Sequence, residues 1–233
     1  MRHQRLSLLS FALLLLSSGL ALAADVPRAG TGIHYVYFIR HGIYDRDSTT
    51  DAVTGNGLNA LGHEQARLLG VRLAALPVHA ATLVSSNLRR ARETAEDIGA
   101  KLGLAPSQDS LLRECSPTSV RADYNASHTP DDIARCDARM AAAWERYLTP
   151  SPDADRHDIL VCHANVIRWM VSRALGEPSH WSAMEIAHAS LTILAVHPDG
   201  TVRLVTFSDV GHLPLADQTW TGRGAGWGAP AGR

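Results

Sequence analysis

Residues 33–42, which read Ile-His-Tyr-Val-Tyr-Phe-Ile-Arg-His-Gly, constrain the fold of this chain more than any other stretch. Six of the first seven residues are β-branched or aromatic. A nearly continuous apolar run of this kind is typical of a strand that is covered on both faces of a sheet. The run ends at Arg40 and His41, followed by Gly42, where the backbone can turn freely. Because ligands of open α/β sheets bind at the carboxyl ends of the strands, Arg40 and His41 are candidate site residues.

The pairing of Arg40 with His41 suggests phosphoryl transfer. A neutral imidazole is a nucleophile near neutral pH, because its ordinary pKa of about 6.5 leaves a lone pair available. The guanidinium of Arg40 offers a planar fork of donors that matches phosphate oxygens. Short tripeptides recur by chance, so the alternative that His41 is an ordinary turn residue stays open at this point.

Length and charge limit the domain count and the class of partner. A chain of 233 residues with a formal net charge of −1 suits one domain with a buried core. A net charge this close to zero does not indicate binding to nucleic acid or to an anionic membrane surface. Recognition of phosphate must therefore depend on local charges.

The amino-terminal segment 1–23 reads as a secretory signal peptide. It has a basic start, a mostly apolar stretch over 8–22, and a small-x-small cleavage site at Ala21-Leu22-Ala23. We expect an exported mature protein, periplasmic or secreted and without stable membrane insertion. An uncleaved membrane anchor is the alternative, although the apolar run is short for a span and no basic cluster follows it.

The three cysteines do not suggest a metal site, because neither they nor the histidines show zinc-ligand spacing. Cys162 lies in an apolar strand-like run and reads as an inert core residue. Cys115 and Cys136 are the candidate disulfide. The sequence cannot place their Cα atoms, so this pairing stays open.

Strand-like and helix-like segments alternate along the chain. Apolar spacing and turn signals predict strands over 33–39, 81–84, 158–162, 190–196 and 201–207, and an extended segment over 107–113. They predict helices over 59–76, 129–148 and 166–175, and one more that ends near residue 103. The remaining segments read as a flexible lead-in at 24–32, loops at 43–57 and 149–157, and a disordered tail at 216–233. The alternation predicts an α/β fold: a three-layer sandwich over 33–215 with a mostly parallel sheet, one antiparallel strand and helices on both faces.

Further candidate site residues follow the other predicted strands. Arginines 89, 90 and 92 lie where the second strand leads into a helix, and helix amino termini attract anions. His163 directly follows the strand at 158–162. Glu114 ends the extended segment. The alternatives are that the arginines form a solvated helix face, that His163 is a core histidine, and that Glu114 is a surface carboxylate.

Taken together, these motifs resemble the histidine phosphatase superfamily, also called phosphoglycerate-mutase-like. The resemblance covers roughly residues 33–215 and is strongest for the mitochondrial Ser/Thr phosphatase branch. It is carried by Arg40-His41-Gly42, Leu58–Ala66, Ser85–Ala91 and His163, and for the branch by Leu111–Glu114, Val161–Arg168, Arg173–Leu175 and Ser208–Gly211. One departure is Ala164, where many members of the superfamily have glycine.

The resemblance implies a role for each residue. His41 would be the nucleophile and form a phosphohistidine, while Arg40, Arg90 and His163 would bind the phosphoryl oxygens. Arg90 is preferred to Arg89 because the arginine directly before the alanine has this role in the family. Glu114 would be the general acid. The resemblance implies no metal and no cofactor.

The function expected from the sequence is an exported phosphomonoesterase that hydrolyses a phosphorylated substrate, either a phosphoprotein or a small ester. A phosphoglycerate-type mutase and a non-catalytic phosphate- or phosphopeptide-binding module are the alternatives. The sequence does not indicate the oligomeric state.

Overall fold

The computed structural model describes residues 31–221. The predicted signal peptide, nearly all of the lead-in and residues 222–233 lie outside this range. The six strands are β1 His34–Arg40, β2 Thr82–Ser85, β3 Ser107–Gln108, β4 Arg156–Cys162, β5 Leu191–Val196 and β6 Val202–Asp209. The helices are α1 Ala60–Ala74, α2 Arg89–Leu102, α3 Ala122–Ala126, α4 Pro130–Tyr147 and α5 Ala164–Ala174. Short 3₁₀ turns cover Ser110–Leu112, Pro178–Ala183 and Leu215–Asp217.

The six strands form one sheet in the order β3-β2-β4-β1-β5-β6. Strands β1 to β4 pair in parallel, whereas β5 is antiparallel to both of its neighbours, β1 and β6. This arrangement confirms the predicted α/β class and its single antiparallel strand. The apolar strand β1 is central, with β4 on one side and β5 on the other.

Side chains that alternate along β1 enter two separate cores. Val36 and Phe38 are fully buried against α4 and α5, which contribute residues such as Met140 and Ile167. Tyr37 and Ile39 pack into the second core, which α1 and α2 cover. Because both faces of β1 are covered, its nearly continuous apolar sequence is explained.

The helix starts match the predicted caps. The side chain of Asn59 accepts a hydrogen bond from the backbone N–H of Gly62 at 2.9 Å, and Thr129 accepts from Asp132 at 3.2 Å. Pro130 occupies the first turn of α4, where its missing N–H costs nothing. Helix α2 ends at Gly103, whose φ of 68° is left-handed and therefore suits glycine.

Two segments differ from the prediction. Residues 107–113 do not stay extended: β3 has 2 residues, and a 3₁₀ turn follows. The carboxylate of Asp109 accepts from the backbone N–H of Leu111 at 2.9 Å, which favours this turn over a strand. Strand β4 begins at Arg156, inside the predicted loop 149–157, because Arg156 pairs with His34 of β1.

The first residues of the predicted disordered tail pack against the domain. Trp220 forms an isolated antiparallel bridge with Ala187, and the backbone N–H of His188 donates to the carbonyl of Thr219 at 2.9 Å. Cys115 and Cys136 form a disulfide, whereas Cys162 is a buried free thiol. In the part of the chain described here, no helix is long and apolar enough to cross a membrane.

Candidate active site

The fold brings the predicted site residues to one edge of the sheet. Arg40 is the last residue of β1 and His41 follows it, while His163 follows β4 and Arg90 lies in the first turn of α2. The rings of His41 and His163 have their centroids 5.1 Å apart. Glu114 reaches the same region from the loop that follows the 3₁₀ turn. The sheet topology explains this convergence, because parallel strands present their carboxyl ends on the same side.

The hydrogen bonds of His41 define its tautomer. Nδ1 lies 2.7 Å from the carbonyl oxygen of Gly42, which can only accept, so Nδ1 carries the hydrogen. The lone pair is therefore on Nε2, where the Nε–H of Arg90 donates to it over 3.1 Å. Burial lowers the pKa of His41 well below its ordinary value of 6.5, and the nearby His163 and Arg40 lower it further. His41 is consequently neutral at neutral pH.

The turn after His41 is held in place by close packing and by α2. A Cβ atom at Gly42 would lie 2.5 Å from the carbonyl oxygen of Gly62, so this crossing requires glycine. The hydroxyl of Thr94 accepts from the N–H of Gly42 at 3.0 Å and donates to the carbonyl of Arg90 at 2.7 Å. One threonine therefore connects the His41 turn to the helix that carries Arg90.

Arg40 is buried, with 3% of its surface exposed. Its NH1 donates to the carbonyl of Ile186 at 2.6 Å, and its NH2 donates to Nε2 of His188 at 2.9 Å and to the hydroxyl of Thr221. Burial lowers the pKa of Arg40 to about 10, while Glu114 opposes this shift. The guanidinium is thus charged at neutral pH, and part of its donor fork is directed at the carboxyl-terminal segment.

Arg90 and Arg89 have different environments. The guanidinium of Arg90 lies over the ring of Tyr44, 4.9 Å from its centroid, in addition to its bond with His41. Arg89 is exposed and bonds Glu93 at 2.6 Å, four residues along the same helix. The structure brings Arg90, and not Arg89, into contact with His41.

His163 is completely buried beside His41. Its Nε2 lies 2.8 Å from the hydroxyl of Ser86, which follows β2, and its Nδ1 has no hydrogen-bond partner among the residues described. Burial lowers the pKa of His163 well below 6.5, and the positive charges of Arg90 and Arg40 add to this effect. The ring is neutral and can offer one N–H donor to a ligand.

Glu114 is half-buried, and its Oε1 is buried without a hydrogen-bond partner in the described chain. Burial raises the pKa of this carboxyl, although Arg90, Arg168 and Arg40 oppose the rise. Its backbone carbonyl accepts from the NH2 of Arg139 at 3.3 Å. A carboxyl with a raised pKa among arginines is a suitable proton donor.

His188 also lies beside His41, although no motif in the sequence singled it out. It lies in the loop before β5, with its ring centroid 5.8 Å from that of His41. Because Nε2 accepts from Arg40, Nδ1 carries the hydrogen and donates to the hydroxyl of Thr219 at 3.0 Å. One signal in the sequence could have indicated His188: it lies just before the strand predicted to be antiparallel. An antiparallel strand begins at the end of the sheet where its parallel neighbours finish, so residues before it lie near the site.

The backbone beside His188 is strained. Ala189 has a φ of 49°, in the left-handed region that residues with a Cβ atom avoid. Its N–H donates to the carbonyl of His41 at 3.2 Å. This contact ties the loop before β5 to the turn that carries His41.

Comparison with known proteins identifies the family. The model of the histidine phosphatase superfamily (branch 1) matches residues 36–123 and 118–209. The serine/threonine-protein phosphatase PGAM5, mitochondrial, of Xenopus tropicalis is 36% identical over 187 residues, covering 77% of this chain and 66% of that protein. The Homo sapiens protein of the same name is 34% identical over 224 residues, covering 91% and 76%. The chain thus spans a little under two thirds of the Xenopus tropicalis relative, and 64% of the Rattus norvegicus one.

A phosphoglycerate mutase from Plasmodium falciparum has a similar structure. It is 25% identical, with a TM-score of 0.56, and the match covers 78% of this chain and 95% of that one. This similarity supports the description of the fold as an α/β sandwich with helices on both faces of the sheet.

These comparisons overturn one prediction and establish the family. The expectation of a periplasmic or secreted protein is wrong, because the names of the relatives place them in mitochondria. The apolar run at the amino terminus does not by itself distinguish export from other destinations, and it lies outside the described residues. The matched residues and the sequence identities show that the chain belongs to the histidine phosphatase superfamily, branch 1.

Proposed function

We propose that this chain is a phosphomonoesterase that hydrolyses phosphate esters through a phosphohistidine at His41. The observation that carries the proposal is the tautomer of His41, whose Nε2 lone pair lies beside Arg90 in a buried site. A neutral imidazole with its second nitrogen held as a donor is an activated nucleophile. The names of the relatives, which are Ser/Thr phosphatases, support the same reaction class.

In the first step, Nε2 of His41 attacks phosphorus and the bond to the leaving oxygen breaks. That oxygen takes a proton from Glu114 and departs as an alcohol. The raised pKa of Glu114 supports this role, because a larger fraction of the carboxyl is protonated at any given pH. The carboxylate produced is stabilised by the arginines around it.

In the second step, Glu114 acts as a base. It takes a proton from water, the water oxygen attacks the phosphorus of the phosphohistidine, and the P–N bond breaks to restore neutral His41. Inorganic phosphate leaves, and Glu114 is again protonated. The same carboxyl therefore serves as acid and then as base, so that the cycle balances in protons.

Positive charge for the transition state would come from side chains. Arg40, Arg90 and His163 surround His41 and provide donors for the equatorial phosphoryl oxygens. The two guanidinium groups remain charged at neutral pH, while His163 contributes a neutral N–H. On this basis we propose that catalysis is independent of a metal ion.

The substrate class that fits is an alkyl phosphate ester, such as phosphoserine or phosphothreonine in a protein or a small ester. A leaving group that becomes a basic alkoxide requires a proton donor, which Glu114 provides. A phosphoglycerate-type mutase is the second candidate, favoured by the likeness to the Plasmodium falciparum mutase. A mutase would return the phosphoryl group from His41 to a second hydroxyl rather than to water.

One assay series separates these possibilities. The chain is given para-nitrophenyl phosphate, a phosphoserine peptide, or 3-phosphoglycerate with a bisphosphoglycerate primer, each with and without EDTA. We expect release of phosphate from para-nitrophenyl phosphate and from the phosphoserine peptide, and EDTA should not affect it. We expect no primer-dependent isomerisation of 3-phosphoglycerate. Isomerisation without phosphate release would favour the mutase, and absence of turnover with tight phosphate binding would favour a binding module. Loss of activity in EDTA that zinc or magnesium restores would overturn metal independence.

A further inference from the structure

We propose that the Cys115–Cys136 disulfide is a redox-sensitive positioning device for Glu114, so that its reduction weakens proton donation to the leaving group. The inference rests on the proposed function, because it concerns the role of Glu114 in that reaction. It assigns a purpose to two residues that take no part in binding phosphate.

The disulfide joins the proton-donor segment to a well-packed helix. Cys115 directly follows Glu114, and its Cα lies 5.8 Å from that of Cys136 in α4. Cys136 is 2% exposed, and Met140, one turn further along α4, is fully buried in the core. The bond therefore ties a residue adjacent to Glu114 to a part of the protein that cannot shift without disturbing the core.

Apart from the disulfide, the backbone of Glu114 and Cys115 is held by two hydrogen bonds. These residues lie between the 3₁₀ turn and α3, outside any helix or strand. The carbonyl of Glu114 accepts a long bond of 3.3 Å from Arg139, and that of Cys115 accepts from the Nδ2 of Asn165 at 3.0 Å. With the covalent tie removed, these two hydrogen bonds would hold the backbone of Glu114 and Cys115, and the backbone N–H of Asn165 would be the remaining donor to the carboxyl of Glu114.

Both cysteines line the same cavity, and Cys115 is partly exposed. The cavity has a volume of about 470 Å³. Its walls are formed by Glu114, Cys115, Ser116, His128, Asp132, Arg135, Cys136 and Arg139. The third cysteine, Cys162, is fully buried, and burial raises its pKa, so it is not a competing thiolate. The described residues therefore contain a single disulfide at the cavity wall and no accessible free thiol.

The redox step is a thiol–disulfide exchange with a dithiol. One thiolate of the reductant attacks a sulfur of the disulfide and releases the other cysteine as a thiolate, which takes up a proton. The second thiol of the reductant then resolves the mixed disulfide and frees the second cysteine. Two electrons and two protons pass to the protein, and the reductant becomes a cyclic disulfide.

Reduction is expected to affect catalysis selectively because a proton donor depends on its position. Displacement of a catalytic group by about 1 Å can cost roughly 100-fold in rate. Arg40 ends β1, His41 follows it and Arg90 lies on α2, so the disulfide does not constrain these three residues. Attack on phosphorus should therefore persist, while proton transfer to a basic leaving group is lost.

The test compares kcat/KM for a phosphoserine peptide and for para-nitrophenyl phosphate in the full chain before and after dithiothreitol. We expect the phosphoserine value to fall about 10- to 100-fold, the aryl value to fall much less, and both to recover on reoxidation. The Cys115→Ser/Cys136→Ser double variant should reproduce the reduced enzyme without added reductant. In Glu114→Gln, reduction should leave the ratio of the two values unchanged.

Two kinds of failure are distinguishable. The first concerns the ratio of kcat/KM for the phosphoserine peptide to kcat/KM for para-nitrophenyl phosphate. If Glu114→Gln changes this ratio but reduction does not, or if reduction lowers both values equally, the redox inference alone is overturned. An oxidised wild type that hydrolyses neither ester would overturn the proposed function. Thiol titration confirms that the bond opens. Should the double variant fail to fold, the reduced wild-type chain still decides the outcome.

Discussion

The Nε–H of Arg90 donates to the Nε2 of His41 over 3.1 Å, so the lone pair assigned to nucleophilic attack is engaged by a guanidinium. Phosphate oxygens carry negative charge and are stronger acceptors for a guanidinium than a neutral imidazole is. A bound phosphate would therefore draw Arg90 away from His41. On the proposed mechanism, substrate binding and release of the nucleophile would be coupled through Arg90, whose guanidinium lies over the ring of Tyr44.

Arg90→Ala is expected to raise the Ki for inorganic phosphate and vanadate strongly and to lower kcat/KM by about 10²-fold or more, because a charge-assisted fork is lost. Arg89→Ala is the matched control: its side chain is exposed and pairs with Glu93, so changes should stay within a few-fold. The measurement is steady-state kinetics of both variants and the wild type, which gives kcat/KM and the Ki values for phosphate and vanadate. The opposite ranking of the two variants would show that the site uses the neighbouring arginine.

Thr221→Val should lower the KM for phosphate esters by about threefold, leaving kcat nearly unchanged. The hydroxyl of Thr221 accepts from the NH2 of Arg40, and a phosphate oxygen would compete for the same N–H. Thr219→Val is the control, because that hydroxyl bonds His188 and Gln65 instead of Arg40. A higher KM for the Thr221 variant would mean that the hydroxyl assists substrate binding.

Glu114→Gln is expected to cost alkyl phosphate esters about 10²–10⁴-fold in kcat/KM. Para-nitrophenolate needs little protonation near neutral pH, so its ester should lose clearly less. Asp123→Asn serves as control, because that carboxylate is exposed and paired with Arg121 at 2.6 Å. Equal, small losses on both esters would reduce Glu114 to a structural carboxyl.

Stability should decrease as pH falls below about 6.5. His41, His163 and His188 are buried and neutral, with pKa values well below 6.5 in the folded protein, whereas in the unfolded chain they protonate near their ordinary value. The unfolded state then binds more protons, which lowers the free energy of unfolding as the pH drops. Glu114, whose pKa is raised, opposes this trend because the folded state retains its proton.

Urea unfolding between about pH 7.5 and about pH 5.5 measures this dependence. His188→Asn should show a shallower decline than the wild type, since one of the imidazoles whose pKa is lowered well below 6.5 is removed. A free energy of unfolding that is constant over this range in the wild type would contradict the buried, neutral state of the three rings.

The sequence predicted the residues whose position follows from parallel strands. Arg40, His41 and His163 end or follow apolar strands, and such ends meet at one edge whatever the strand order. Arg90 required the family motif, because spacing alone does not separate it from Arg89. The fold class followed from the alternation of strands and helices with a terminal hairpin.

Other features depended on distances that the sequence does not contain. His188 joins the site because β5 pairs antiparallel with β1, and the hairpin pattern did not identify β1 as its partner. The Cys115–Cys136 bond required the placement of α4 beside the Glu114 loop. The composition of the tail suggested disorder, yet Trp220 forms a backbone bridge with Ala187, and the hydroxyl of Thr221 accepts a hydrogen bond from Arg40.

Direct detection of the phosphohistidine tests the central claim. The chain is mixed with a radiolabelled alkyl phosphate ester, quenched in alkaline detergent, and digested for mass spectrometry. We predict a label that is stable in alkali and lost in acid, as a P–N bond requires. It should map to His41, accumulate further in Glu114→Gln when a radiolabelled aryl ester, which needs little protonation, supplies the phosphoryl group, and be absent from His41→Ala, which should also lose turnover by several orders of magnitude. An acid-stable label on another residue, or turnover that persists in His41→Ala, would contradict the mechanism.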